Sequence, residues 1–140
     1  MKIDLSNFKR FRNSWNSRMK RAIPIALNKS GNKVRELIID RTSRGVGLSG
    51  RFKRYSNEYA DYRKDKGRGL TPDLNFSGRM LSNMDVEKSG TNKVLVNFKR
   101  KEEAIKAKQN QKSRPFFGVR PQEEKFVAEA FARQLRKDLR

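Results

Sequence analysis

The longest regular pattern of apolar positions lies in the first 45 residues of the chain. Apolar side chains recur there every three or four residues, which is the spacing of one face of an α-helix. Pro24 lacks a backbone N–H and Gly31 has a low helix propensity, so we expect this helix to be kinked or broken near them. We expect it to end between Ser43 and Gly45. The repeating apolar residues are Leu5, Phe8, Phe11, Trp15, Met19, Ala22 and Ala26.

Residues 46–72 show no sustained apolar period and are rich in glycine, lysine and arginine. Long segments of this kind are unusual inside a compact domain and are more often functional or mobile. We expect an extended basic loop that contains a short helix around Glu58–Arg63. The glycines at positions 45, 47 and 50 do not indicate a phosphate-binding loop. That motif follows a strand and opens a helix, whereas these glycines follow a predicted helix.

Residues 73–119 predict a small antiparallel sheet. Met84–Glu87 and Lys93–Phe98 are short, partly β-branched runs on either side of a turn cluster, which indicates a hairpin. Glu102–Gln109 has the composition of a helix. Arg114–Val119 is predicted to be extended, and Pro115 favours a sheet edge because proline cannot donate to an interior strand ladder.

Pro121 fits the first turn of a C-terminal helix, where its missing N–H would have no helical partner. The pattern as a whole predicts an α+β fold with a long N-terminal helix, a small antiparallel sheet, a C-terminal helix and long basic loops. We divide a single domain, 1–140, into a helical arm (1–45), a basic loop (46–72), a small sheet with an inserted helix or loop (73–119) and the C-terminal helix (120–140). The predicted core contains Trp15, Val94, Val96, Phe98, Phe126, Val127 and Phe131.

Composition adds a strong charge to this picture. The 140 residues include 35 Lys and Arg against 15 Asp and Glu, a formal net charge of +20. Such a charge predicts a polyanionic or acidic partner, of which nucleic acid is the commonest. No apolar run approaches the ~20 residues that cross a bilayer, and residues 1–11 lack the apolar region of a signal peptide. We expect no membrane contact.

The candidate chemistry is narrow because the sequence contains no Cys and no His. Thiolate nucleophiles, imidazole acid–base catalysis and zinc sites built from Cys or His are excluded. The adjacent acids Glu102–Glu103 and Glu123–Glu124 lie at predicted helix starts, where they complement the helix dipole. We predict that the protein is not an enzyme and has no catalytic residue, no cofactor and no metal site.

A set of basic residues in and beside the basic loop alternates with aromatic residues. Basic side chains neutralise phosphates and aromatic rings stack on bases, so the segment is a candidate for nucleic-acid contact. No motif of a known base-reading element accompanies it. The alternative is a solvated loop that docks on its own core or on a neighbouring subunit. The candidate contact residues, for nucleic acid or a protein partner, are Arg44, Arg51, Lys53, Arg54, Arg63 and Lys64.

Three short motifs follow one another along residues 34–135. The first is RTSRG at residues 41–45, followed by Phe52 and by YSNEYA at residues 55–60. The second is LTPDLNFSGRML at residues 70–81, and the third is RPFFGV at residues 114–119, after Ala107 and Asn110. In this order and spacing they resemble the tail-completion, or virion-morphogenesis, proteins of the neck of tailed bacteriophages. The N-terminal basic helix is not part of the resemblance.

The resemblance implies a structural subunit that forms a ring, a hexamer, between the head connector and the tail. Its implied partners are copies of itself, the connector or adaptor, and the tail terminator or tail tube, with non-specific contact with packaged DNA. Its implied location is the virion, after assembly in the host cytoplasm. The family has no catalytic residues to carry over. The residues alone leave an alternative open, a sequence-independent nucleic-acid-binding protein of the ribosomal or nucleoid type.

Overall fold

The computed structural model describes residues 6–75, 77–90 and 92–140, with side chains from residue 15 onward. Leu5 and the side chains of Phe8 and Phe11, part of the predicted apolar stripe, lie outside the described residues. The described chain has an α+β fold, as predicted. No helix in it is long and apolar enough to cross a membrane. In chain order the elements are α1 (Ser6–Ser43), β1 (Val46–Gly47), β2 (Gly50–Arg51), α2 (Asn57–Asp65), α3 (Arg79–Ser82), β3 (Met84–Lys88), β4 (Val94–Phe98), α4 (Lys101–Ser113) and α5 (Pro121–Asp138).

The N-terminal helix α1 is continuous and ends at Ser43, within the predicted range. It is not broken at Pro24 or Gly31. Its contacts with α5, β1, β3 and β4 offset the local cost of these two residues. Gly31 is needed for packing, because a Cβ atom there would lie 2.6 Å from Cγ1 of Val86 on β3.

The C-terminal helix α5 packs along α1 and is tied to it at both ends. Near the start of α5, Arg41 of α1 bonds to Glu123. At the other end, the Arg18 guanidinium donates to the carbonyls of Leu139 and Arg140. Because residue 41 meets the beginning of α5 and residue 18 meets its end, the two helices are antiparallel. Arg18 also places positive charge at a helix C-terminus, where the helix dipole favours it.

The predicted hairpin is confirmed: β3 pairs with β4 in antiparallel register, with Val86 opposite Val96. The extended segment Arg114–Val119 is not a strand at a sheet edge, so that expectation is wrong. Its backbone N–H groups at Phe116 and Phe117 donate instead to Oε1 of Gln111, each at 3.0 Å. A side chain of α4 thus takes the place of a strand partner.

The basic loop is more ordered than its sequence indicates. It contains the predicted short helix, α2, and also a small antiparallel hairpin, β1–β2, that was not predicted. A Cβ atom on Gly47 of this hairpin would lie 2.4 Å from the carbonyl oxygen of Pro115, so only glycine allows the approach. Gly45 and Gly78 belong to the resemblance motifs. Their φ angles, +73° and +77°, lie in the left-handed region that glycine favours at turns and helix ends.

The core lies where the C-terminal half of α1 meets α3, β3, α4 and residues 114–119. The predicted core is largely wrong: Trp15 and Phe126 are each 41% exposed, and the other five predicted residues are only partly buried. Two buried alanines, Ala22 and Ala26, line α1 instead of bulky residues. The buried cluster is formed by Ile38, Met80, Leu81, Met84, Ala107 and Phe116.

Candidate nucleic-acid and partner interface

Among the described residues, two arginines are buried, and each organises a set of backbone carbonyls. We call the first set the Arg41 centre: Arg41, Glu123 and the carbonyls of Phe116 and Gly118. The Arg41 side chain is 1% exposed. Its Nη1 donates to Oε1 of Glu123, and its Nη2 donates to the Phe116 and Gly118 carbonyls at 2.6 and 3.1 Å. The first and third resemblance motifs are thereby joined by one guanidinium group.

The electrostatics of the Arg41 centre follow from its burial. Burial lowers the pKa of the Arg41 guanidinium from its ordinary value, and the Glu123 carboxylate opposes that shift. Glu123 also accepts the backbone N–H of Arg120 at 2.9 Å, which satisfies a free donor at the start of α5. The acidic residue that the sequence assigned to a helix dipole therefore has a second role as the buried partner of Arg41.

The second set, the Arg63 centre, contains Arg63, Asp73 and the carbonyls of Gly69 and Asn75. Arg63 is 2% exposed on α2, and it donates to the Gly69 carbonyl at 2.7 Å and to the Asn75 carbonyl at 3.2 Å. Asp73 lies 3.6 Å away as its ion-pair partner. The segment it holds includes Leu74, which is in the left-handed region at φ 55°. A branched side chain rarely adopts this conformation without such support.

The Tyr55 ring connects the Arg63 centre with the third motif. Guanidinium carbons of Arg63 and Arg114 lie 4.9 and 5.0 Å from its centroid, within cation–π range. Arg114 also donates to the carbonyls of Lys53 and Arg54 at 3.2 and 3.3 Å. Burial raises the pKa of the Tyr55 phenol. All three motifs therefore meet through arginine side chains.

The predicted contact residues separate into two groups in space. Arg44, Arg51 and Arg54 line one cavity of ≈ 570 Å³ beside the β1–β2 hairpin, which we call the arginine cleft. Arg63 is buried and structural, so its assignment as a contact residue is wrong. Lys53 and Lys64 are exposed but are not part of the cleft lining.

A second cavity of ≈ 590 Å³ lies on the other face of α2. Tyr59 and Arg114 contribute to its wall, and Glu103 of α4 contributes a carboxylate that is 5% exposed. Oε1 of Glu103 accepts from Lys106 at 3.0 Å, while Oε2 has no hydrogen-bond partner among the described residues. The described residues contain no group of three His, Cys, Asp or Glu residues that could hold a metal ion.

Comparisons with protein-family models, with curated proteins and with solved structures found no match for this chain.

Sequence reasoning missed Arg41, Glu123 and Gln111 as the residues that position the motif backbone. The sequence did contain a signal for Arg41. It opens the first motif, and its position continues the helical spacing of the apolar residues that precede it. Gln111 gave none, because a glutamine in a polar, lysine-rich helix has the same appearance whether its amide is solvated or bonded.

Proposed function

We propose that the protein is a non-enzymatic structural subunit of a tailed-phage neck, a tail-completion protein that joins the head connector to the tail. The observation that carries the proposal is the convergence of the motifs. Arg41 of the first motif donates to the Phe116 carbonyl of the third motif. Arg63 of α2 donates to the carbonyl of Gly69, just before the second motif, and to that of Asn75 within it. These residues support backbone, which is the role expected of motif residues in an assembly protein without catalytic groups.

The surface supports a role as a subunit. Among the described residues, eight apolar side chains are buried, while eight large apolar or aromatic side chains are exposed. Subunit interfaces use such surface, because an apolar side chain gains free energy when a neighbour covers it. Copies of the same chain, the connector and the tail tube or terminator are the proposed partners, with the virion as the location after assembly in the host cytoplasm.

A nonsense mutation in the gene of a tailed phage that encodes this chain tests the proposal directly. Loss of the subunit should leave DNA-filled heads and separate tails in electron micrographs of the lysate. Supplying the wild-type chain in trans should restore joined particles. Normal virions without the chain would contradict the proposal. Negative-stain images of the purified protein would show whether it forms a ring, with six copies expected.

A second candidate is a sequence-independent nucleic-acid-binding protein. The arginine cleft favours this alternative, since three arginines line it and no acid does. The same phage experiment separates the two, because a nucleoid or ribosomal protein would leave head–tail joining intact when it is absent.

A further inference from the structure

The arginine cleft has a charge that the described chain does not balance. Its lining contains Arg44, Arg51 and Arg54 and neither Asp nor Glu. Arg44 forms an ion pair with Asp40 at 2.9 Å. Both side chains are exposed, so this ion pair is weak. Among the described residues, Arg51 and Arg54 form no ion pair. At least two guanidinium groups are therefore available to an external anion.

The backbone that presents these arginines is fixed. The Phe52 N–H donates to the Gly45 carbonyl at 2.8 Å. This bond holds the segments that carry Arg44 and Arg51 side by side. Arg114 holds the carbonyl of Arg54 from another segment. A site whose backbone is already ordered loses less conformational entropy on binding than a mobile loop does.

The chemistry of the cleft fits a phosphate group. The planar guanidinium fork bonds two oxygens of one phosphate, and arginine predominates where such recognition is needed. The cavity offers little for base stacking, because the Tyr55 ring in its wall already receives two guanidinium groups and the Phe52 ring packs against the core. Contact with the backbone of an intact duplex is favoured over contact with an unstacked single strand.

Charge beyond the cleft favours DNA over an acidic protein. Residues 44–68 contain eight Lys or Arg and three Asp or Glu. Lys53, Lys64 and Lys66 in this stretch are exposed. A duplex presents a long, regular row of phosphates that can meet such an extended basic surface, whereas an acidic patch on a protein is local. We propose that the arginine cleft binds the phosphodiester backbone of duplex DNA. The source of that DNA, the packaged genome, rests on the proposed function, while the binding itself does not.

The test compares two variants of the full chain that each lose three positive charges. The first replaces the cleft residues (Arg44→Gln, Arg51→Gln, Arg54→Gln). The matched control replaces exposed lysines outside the cleft (Lys29→Gln, Lys88→Gln, Lys108→Gln). Binding to a short labelled duplex of mixed sequence is measured by fluorescence anisotropy over a series of salt concentrations.

The cleft variant should bind DNA more weakly than the control at every salt concentration. Its slope of log affinity against log salt should fall in magnitude by roughly 2–3, since each lost phosphate contact removes about 0.9. The control should lose less than half of that. Equal losses in the two variants would show that only net charge matters and would overturn the proposal.

A footprint on the wild-type protein gives the same answer without a variant. Phenylglyoxal modifies accessible arginines, and mass spectrometry reports the extent at each one. DNA should protect Arg51 and Arg54 more than the exposed Arg133 and Arg136 of α5. Uniform protection, or displacement of DNA by poly-glutamate as readily as by polyphosphate, would contradict phosphate binding. If normal virions form without the chain while DNA still protects Arg51 and Arg54, the neck function is wrong and the DNA site remains.

Discussion

The region around the core and the α1–α5 helix pair differ in the kind of side chain that they bury. Around the core, Ile38, Met84 and Phe116 are at most 1% exposed, and Arg41 and Arg63 are buried. Along the α1–α5 pair, the buried apolar residues of α1 are Ala22 and Ala26, while Ile25 and Phe126 remain 47% and 41% exposed. The first region encloses bulky side chains within one chain, although Leu95 on β4 and Ile105 on α4 are exposed at its surface. The α1–α5 pair encloses no bulky apolar side chain among the described residues.

The comparison also shows what stabilises irregular backbone. Residues 66–75 and 114–120 lie outside the helices and strands, next to helix ends. A helix or a sheet bonds its own backbone, but these segments cannot, so their carbonyls are bonded by arginine side chains. Buried charge of this kind is costly unless its donors and acceptors are paired, and Nε of Arg41 has no hydrogen-bond partner among the described residues.

The largest effect should come from removing one half of the buried ion pair. Arg41→Ala removes the donor of two carbonyls and leaves the buried Glu123 carboxylate with Arg120 alone, so the free energy of unfolding should fall by about 3–5 kcal/mol. Urea unfolding measures the change. Arg44→Ala, which breaks an exposed pair with Asp40, is the control and should cost about 0–1 kcal/mol. A cost below about 1 kcal/mol for Arg41→Ala would show that the centre is open to water.

The difference between the two regions can be tested with one aromatic residue from each. Phe116→Ala removes a fully enclosed ring and should destabilise the monomer by about 3–5 kcal/mol. Phe126→Ala removes an exposed ring of α5 and should cost less than about 1 kcal/mol. The same unfolding experiment applies to both. Similar costs would mean that the α1–α5 pair is as closed as the core, and the proposed difference would be lost.

Replacing the Arg63 guanidinium group by an ammonium group of the same charge should destabilise the Arg63 centre. Arg63→Lys keeps the positive charge but cannot reach the Gly69 and Asn75 carbonyls together, so stability should fall by about 1.5–3 kcal/mol. Arg133→Lys, at an exposed position of α5, is the matched control and should change stability by no more than about 0.5 kcal/mol. If lysine at position 63 leaves stability unchanged, the geometry of the fork is not what holds residues 69–75.

The smallest expected effect is a dependence on alkaline pH. Burial raises the pKa of Tyr55 in the folded protein above the ordinary tyrosine value of about 10. The folded state therefore holds this proton more tightly than the unfolded state does. Its contribution to stability is complete below pH about 10 and is lost as pH rises through the folded pKa.

Tyr55→Phe isolates this contribution because phenylalanine has no proton to lose. The difference in stability between the two proteins at pH about 8, where the phenol is protonated, is the reference. Above pH about 10 the wild type should lose stability relative to the variant. Thermal unfolding at both pH values measures the change. A wild type that gains stability relative to the variant as pH rises would indicate that the folded protein stabilises the phenolate instead.

The sequence by itself determined the features that depend on neighbours along the chain. The three-to-four-residue apolar spacing predicted α1, Pro121 predicted the start of α5, and the β-branched run at residues 94–98 predicted the β3–β4 hairpin. Gly45 and Gly78 both have a left-handed φ, which glycine adopts without the strain of a Cβ atom. The local physics of a helix, a hairpin or a turn operates over a few residues, so the sequence contains the whole cause.

The tertiary structure alone decided which residues are buried and which basic residues form the site. Met80, Leu81 and Phe116 lie in segments too short for a period, so no pattern marked them as core. Arg63 and Arg51 look alike in sequence, yet Arg63 is enclosed by carbonyls more than five residues away, while Arg51 joins the arginine cleft. A side chain's partners across the fold, and not its neighbours in the chain, determine whether its charge stabilises the protein or remains available to bind.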